Sequence, residues 1–228
     1  MALARFKKIC LDAADPDVLG RFWAGALELT WVSDGGEGGV YGADRQPVLW
    51  INRVPQPKAV KHRVHLDIYA AAVTDLQALG ASVLVREGDD RRWTVMADPE
   101  GGEFCAFLRE VPATPRLHGL VVDCADPAAQ ARFWVDVLGG AVVDHLQGYS
   151  TAMDVPGMGF TFDFVPVPEL KEGANRIHLD VAAPVLQPIL DAGARVLREP
   201  DDEIEWHVLA DPEGNEFCVF DRADALAG

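Results

Sequence analysis

The chain is written twice. His65-Leu66-Asp67 returns as His178-Leu179-Asp180, 113 positions later. Ala97-Asp98-Pro99-Glu100-Gly101, followed by Glu103-Phe104-Cys105, returns at the same interval as Ala210-Asp211-Pro212-Glu213-Gly214 and Glu216-Phe217-Cys218. Upstream, Ala14-Asp15-Pro16 and Arg21-Phe22-Trp23 return as Ala125-Asp126-Pro127 and Arg132-Phe133-Trp134 at an interval of 111, so the second copy has gained two residues between these blocks. Such a period exceeds the roughly 20 to 50 residues of solenoid units, and each copy is expected to be a domain rather than one layer of a stack. Two domains of about 110 residues each can bury a core of their own. The expected linker is residues 110–116, with Pro112 and Pro115, which sets domains at 1–112 and 113–228.

Within each copy the pattern alternates between strand and helix signals. A short apolar run (residues 9–13 and 120–124) reads as a strand and is followed by Asp-Pro. That pair marks a helix start, with Asp15 or Asp126 as N-cap and proline at the first helical position. Val18, Leu19, Phe22, Trp23 and Leu27 recur at helical spacing, as do Phe133, Trp134, Val137 and Leu138 before Gly139-Gly140. The Phe-Trp pairs read as core. Short strands follow at 39–41, 48–54, 150–154 and 159–165, then a loop rich in Pro and Lys, then the strand carrying His-Leu-Asp. A brief helix and three more strands complete the copy. Asp-Pro-Glu-Gly before the last strand is hairpin chemistry, because proline presets φ and glycine accepts a positive one. The expected fold is α+β: in each copy strand–helix–three strands, twice, in mainly antiparallel sheets backed by helices on one face.

Composition narrows the partners. The net charge of −16 argues against nucleic acid, whose phosphates demand clustered Lys and Arg, and it suits solubility or a cationic small ligand. No apolar run approaches the ~20 residues of a membrane span, and the first residues lack a secretory signal's apolar stretch, so a cytoplasmic protein is expected. The four cysteines, Cys10, Cys105, Cys124 and Cys218, have no C-x-x-C spacing and are expected to be reduced thiols.

Taken together, strand-Asp-Pro-helix-Phe-Trp, His-Leu-Asp, Leu-Gly-Ala and Asp-Pro-Glu-Gly-x-Glu-Phe-Cys resemble the vicinal oxygen chelate superfamily of glyoxalases, bleomycin-resistance proteins and extradiol dioxygenases. The resemblance covers residues 6–221 and implies tandem glyoxalase-like domains made of paired βαβββ modules, whose curved, mixed or antiparallel sheets enclose a cavity. It also implies an internal pseudo-dimer, monomeric or homodimeric. The same scaffold hosts enzymes and pure binders, so function must be argued from the site.

In metal-binding members of that superfamily one ligand lies seven residues before the helix-initiating Asp, a position held here by Lys8 and Gly119. Neither is a ligand; His118 is one position away, on the opposite face by strand alternation. A second ligand, a His opening the next module, is matched by His65 and His178. The last, a Glu after the Asp-Pro-x-Gly turn, is replaced in both copies by Cys105 and Cys218. Glu103 and Glu216 stand two residues earlier on the same face, as His65 and His178 do relative to Asp67 and Asp180. The metal candidates are therefore His65, Glu103, His178 and Glu216, beside Asp67, Asp180 and the two cysteines, for Zn, Fe, Mn or Ni. The plainer reading is a hydrogen-bonded polar cluster with each Cys as a small buried filler.

Differences between the copies point to ligand choice. Trp50 aligns with Asp163, and Trp31 with Val142. Alternation turns Trp50 and Asn52, Asp163, and Lys8, Asp12 and Asp123 toward the expected cavity, whereas Trp93 and Trp206 match between copies and read as framework. Asp163 within Phe160-Thr161-Phe162-Asp163-Phe164 needs a partner. The favoured expectation is a binding protein for a small organic molecule, aromatic or cationic, that sequesters it as resistance proteins do. The alternative is a metal-dependent lyase, isomerase or dioxygenase.

Overall fold

The computed structural model describes residues 2–43, 47–89, 91–111 and 113–222. They form two compact units: Ile9–Leu120, and the residues from Val121 onward with the N-terminal residues through Lys8. The first unit contains β1 (Arg5–Ala13) from Ile9 on, α1 (Pro16–Leu27), β2 (Thr30–Asp34), β3 (Glu37–Tyr41) and β4 (Pro47–Arg53). A second module follows: β5 (Val64–Ala70), α2 (Val73–Ala78), β6 (Ser82–Val85), β7 (Thr94–Ala97) and β8 (Glu103–Leu108). The second unit repeats the order with β9 (Leu117–Cys124) from Val121 on, α3 (Pro127–Leu138), β10 (Ala141–Asp144), β11 (Ser150–Met153) and β12 (Thr161–Pro166). Its last module is β13 (Ile177–Ala183), α4 (Gln187–Asp191), β14 (Arg195–Arg198), β15 (His207–Ala210) and β16 (Glu216–Asp221). The expected βαβββ order is present four times.

The strands form two eight-stranded sheets, in the orders β14-β15-β16-β13-β1-β4-β3-β2 and β10-β11-β12-β9-β5-β8-β7-β6. They are mixed. The first and fourth strands of a module run parallel, with Ile9 level with Leu49, Asp67 with Cys105 and Asp180 with Cys218. The hairpin-joined strands between them are antiparallel, for instance β2 on β3 and β7 on β8.

The repeated motifs meet one another inside each unit. Asp15 caps α1 by accepting from the Asp17 and Val18 N–H groups, and Asp126 caps α3 from Ala129. The helices bury Phe22 and Trp23, or Phe133 and Trp134. Their partner is the phenylalanine of Glu-Phe-Cys. The Phe104 ring lies 5.7 and 5.3 Å from Phe22 and Trp23, and Phe217 lies 6.2 and 5.0 Å from Phe133 and Trp134. A fully buried aromatic side chain is worth a few kcal/mol, so these triplets anchor each core. With Phe104 and Phe217 facing the helices, alternation sends Glu103, Cys105, Glu216 and Cys218 to the opposite face.

The Asp-Pro-Glu-Gly turns bind the two modules of a unit together. Asp98 Oδ1 accepts from the Glu100 and Gly102 N–H groups at 3.0 and 2.8 Å, and Gly101 takes a φ of +83°. This presents the Glu100 carboxylate to the Ala14 and Asp15 N–H groups at 2.9 and 2.6 Å, just before α1. Glu213 does the same for Ala125 and Asp126 at 2.7 and 2.8 Å. Trp31, in contrast, packs on α1: a Cβ added at Gly20 would sit 2.3 Å from its ring, and its Nε1 donates to Asp17 at 2.9 Å. Its difference from Val142 is therefore a packing difference.

Candidate functional site

In the first unit β5 and β8 run side by side with Asp67 level with Cys105, so the face opposite the helices carries His65, Asp67 and Cys105 together. One donor atom from each lies within 4.8 Å of the others. His65 Nδ1 is 3.1 Å from Asp67 Oδ1. Asp67 is only 8% exposed, and its Oδ1 accepts no hydrogen bond among the described residues, the imidazole lying near it without the alignment of one. A buried carboxylate oxygen left so is costly.

Two residues further along both strands the same face becomes aromatic. Tyr69 follows Asp67 and Phe107 follows Cys105, again level with each other. The His118 ring of β9 stacks on Tyr69 at 4.6 Å and meets Phe107 edge-on at 5.1 Å. Trp93 stacks on Phe107 at 5.6 Å, and Arg109 lies 5.5 Å over Tyr69. His118 thus joins an aromatic row beside the His–Asp–Cys group. Tyr69 and Phe107 were overlooked in the sequence, although alternation from His65 and Glu103 places them on this face.

The glutamates stand apart from that group. Glu103 accepts from Lys58 Nζ at 2.9 Å and from the His62 N–H at 3.0 Å; Glu216 accepts from Lys171 Nζ at 2.9 Å and the Asn175 N–H at 3.1 Å. Burial works against the charge of Glu103, but the hydrogen bonds from Lys58 and His62 outweigh it and hold its carboxyl below the ordinary range. Both residues tether the Pro- and Lys-containing loop that precedes the His-Leu-Asp strand.

The second unit resolves its aspartate differently. Asp180, 3% exposed, has His178 Nε2 at 3.6 Å and the Lys8 ammonium at 3.7 Å. Lys7 Nζ lies 3.3 Å over the ring of Phe220, which itself packs on Trp206 at 5.2 Å. The position of Tyr69 is Ala182 here. Asp163 has its partners: Thr151 and Thr161 donate to it at 2.5 and 2.7 Å, and His145 Nε2 is 3.0 Å from the Thr151 hydroxyl. Asp123 is buried at 5% exposure. Of the remaining candidates, Asp12 and Asn52 lie level on β1 and β4 of the first unit, with Asn52 Nδ2 donating to Asp12 at 3.3 Å. Trp50 is level with Cys10 on one side and Gly39 on the other.

Two copies of βαβββ pairs with a His-x-Asp face match a known domain: the model of the glyoxalase-like domain fits residues 8–107 and again 119–220. The chain belongs to the glyoxalase-like domain family. It is a tandem member of the vicinal oxygen chelate superfamily. Its fold is similar to glyoxalase I from Zea mays at 15% identity and a TM-score of 0.69, covering 98% of this chain and 94% of that one. It is also similar to a putative dioxygenase from Bacillus subtilis subsp. subtilis str. 168, at 16% identity and a TM-score of 0.63 over 96% and 85% of the two chains. No curated protein matches it in sequence.

Superfamily members commonly use a divalent metal, and both His-x-Asp strands of this glyoxalase-like chain carry side chains that could hold one. In the first unit imidazole, carboxylate and thiol converge on a point, with the Asp67 oxygen unsatisfied. Three such donors could hold a divalent metal. In the second unit the aspartate already faces an ammonium. No helix among the described residues is long and apolar enough to cross a membrane.

Proposed function

We propose that this glyoxalase-like protein binds a small organic molecule, aromatic and neutral or cationic, on the β5–β8 face of the first unit. The observation that carries the reading is the row of Tyr69, Phe107 and His118 rings running on from the His65–Asp67–Cys105 group. Flat rings offer a stacking wall, and Asp67 offers an anionic end. Together with the net charge of −16 they favour a ligand without negative charge. Trp50, Asn52 and Asp12 are further contacts of a ligand on the first unit in this reading, Asp163, Asp123 and Lys8 those of a ligand on the second, and sequestration is the use it serves.

Mass spectrometry of small molecules carried through native purification identifies the ligand. Titration followed by tryptophan fluorescence then shows Phe107→Ala weakening it about tenfold, the worth of one lost aromatic contact. An unchanged affinity in both Phe107→Ala and Tyr69→Ala refutes the stacking wall.

A second reading, a metal-dependent lyase, isomerase or dioxygenase, is favoured by the unsatisfied Asp67 oxygen. His65, Asp67 and Cys105 would hold the ion, which when bound supplies Lewis-acid polarisation of neighbouring substrate oxygens. Around it, Tyr69 and Phe107 would orient a flat substrate and exclude water.

A further inference from the structure

We infer that the second unit carries a proton-accepting site of its own: His145, fixed by Asp163 through Thr151, with its Nδ1 offered to a neutral small molecule that brings a hydroxyl. On β12 Phe162 and Phe164 are buried, the Phe162 ring 5.4 Å from Trp134 of α3. Alternation therefore turns Thr161 and Asp163 to the opposite face, and Thr151 of β11, level with Asp163, joins them. Asp163 accepts a hydroxyl proton from each threonine. A threonine hydroxyl has one proton to give. With that of Thr151 spent on Asp163, the His145 Nε2 lying 3.0 Å from the same hydroxyl is the donor of their hydrogen bond. In the neutral ring this leaves Nδ1 bare, as an acceptor. Nδ1 has no hydrogen bond among the described residues, and the ring is half-buried. A ligand hydroxyl can donate there. Where that hydroxyl is acidic, its proton passes to Nδ1 and the electron pair stays on the ligand oxygen. The imidazolium then faces the Asp163 carboxylate across one hydroxyl. Each carboxylate oxygen has a second lone pair, so Asp163 serves both this chain of hydrogen bonds and a direct ligand contact.

The ring is held from two further sides. The turn between β10 and β11 pairs the His145 N–H with the Tyr149 carbonyl at 2.9 Å, and Gly148 takes a φ of +87° within it. The two rings stack at 4.0 Å and 12°. Asp144, the neighbouring acid, belongs to the other face, where it accepts from the Ser150 hydroxyl at 2.6 Å. The first unit fills the same place differently. Gly39 is level with Trp50 there, as Thr151 is with Asp163. A Cβ on Gly39 would lie 2.4 Å from the Tyr41 ring, so Tyr41 covers that glycine. The register also puts Asp34 where the second unit has His145. Hydroxyl, carboxylate and imidazole have thus changed together between the copies, as groups that act as one network must.

The probe is phenol, with anisole, its methyl ether, as the control that lacks the donor. Nitrogen magnetic resonance of the full chain, labelled at histidine, reads both tautomer and ligand, and the signals of His145 are those lost in His145→Gln. A bare Nδ1 and a slowly exchanging Nε2–H are expected. Phenol moves the Nδ1 signal saturably, while anisole leaves it in place. Thr151→Val loses the slow Nε2–H and weakens phenol, and Thr151→Ser keeps both. Asp163→Asn speeds the exchange about tenfold, the worth of one hydrogen bond. An Nδ1–H tautomer, an Nδ1 signal unmoved by phenol or moved equally by anisole, or a Thr151→Val protein that behaves as the parent overturns the inference. Where thermal unfolding shows Thr151→Val misfolded, the tautomer and the contrast of phenol with anisole in the parent decide. No ligand on the first unit is needed: failure of this site is read at His145, and failure of the stacking wall is read with Phe107→Ala.

Discussion

Asp98 is a carboxylate that the fold pays to bury. It is 5% exposed, and loss of solvent pushes its carboxyl up to about 6, against the opposing pull of hydrogen bonds from the Gly102 and Glu100 backbone. Asp211 is raised for the same first reason. Because the folded value lies above the ordinary 3.8, the penalty is absent below pH about 4 and grows as pH rises to about 6. Asp98→Asn keeps an oxygen for both N–H groups and carries no charge. Measured by urea unfolding, the variant is expected to gain on the parent by about 2 to 3 kcal/mol between these pH values, and a constant difference would show that Asp98 titrates normally. The burial of this residue was not legible from its position in a hydrophilic turn. Turn chemistry fixes the local hydrogen bonds, but the depth of the turn depends on what packs over it.

At the level of elements, the Asp-Pro-Glu-Gly turns act as clamps between the modules of a unit. Glu100 satisfies two backbone N–H groups at the corner between β1 and α1, where the helix dipole also favours a negative charge. Glu100→Ala is expected to lower stability by about 1 to 2 kcal/mol, and Glu100→Gln by less, as charge is lost but an acceptor remains. Equal thermal unfolding of all three proteins would remove the clamp. The helix starts, the hairpin turns and the buried Phe-Trp pairs were all readable, since caps and periodicity are local properties. The parallel pairing of first and fourth strands was not, because alternation tells which face a residue takes and says nothing about which strand lies beside it. Trp31 shows the same gap: it differs between copies as a ligand contact would, yet its ring is spent on Gly20 and Asp17.

For the whole molecule, 36 acidic against 20 basic residues set a negative field that repels polyanions. Duplex DNA is expected to migrate unshifted with this protein at near-physiological salt, and a salt-sensitive shift would contradict that. The duplication, the order of elements, the aromatic cores and the His-x-Asp faces were determined by the sequence alone, because each rests on spacing along one chain. Tertiary structure decided the pairings. It gave Glu103 and Glu216 to Lys58 and Lys171, Asp163 to two threonines, and Asp180 to Lys8, while an oxygen of Asp67 has His65 near it but accepts no hydrogen bond among the described residues. Charges and hydrogen-bonding groups choose partners within a few ångströms of space, and those neighbours are brought together only when strands distant in sequence are laid side by side.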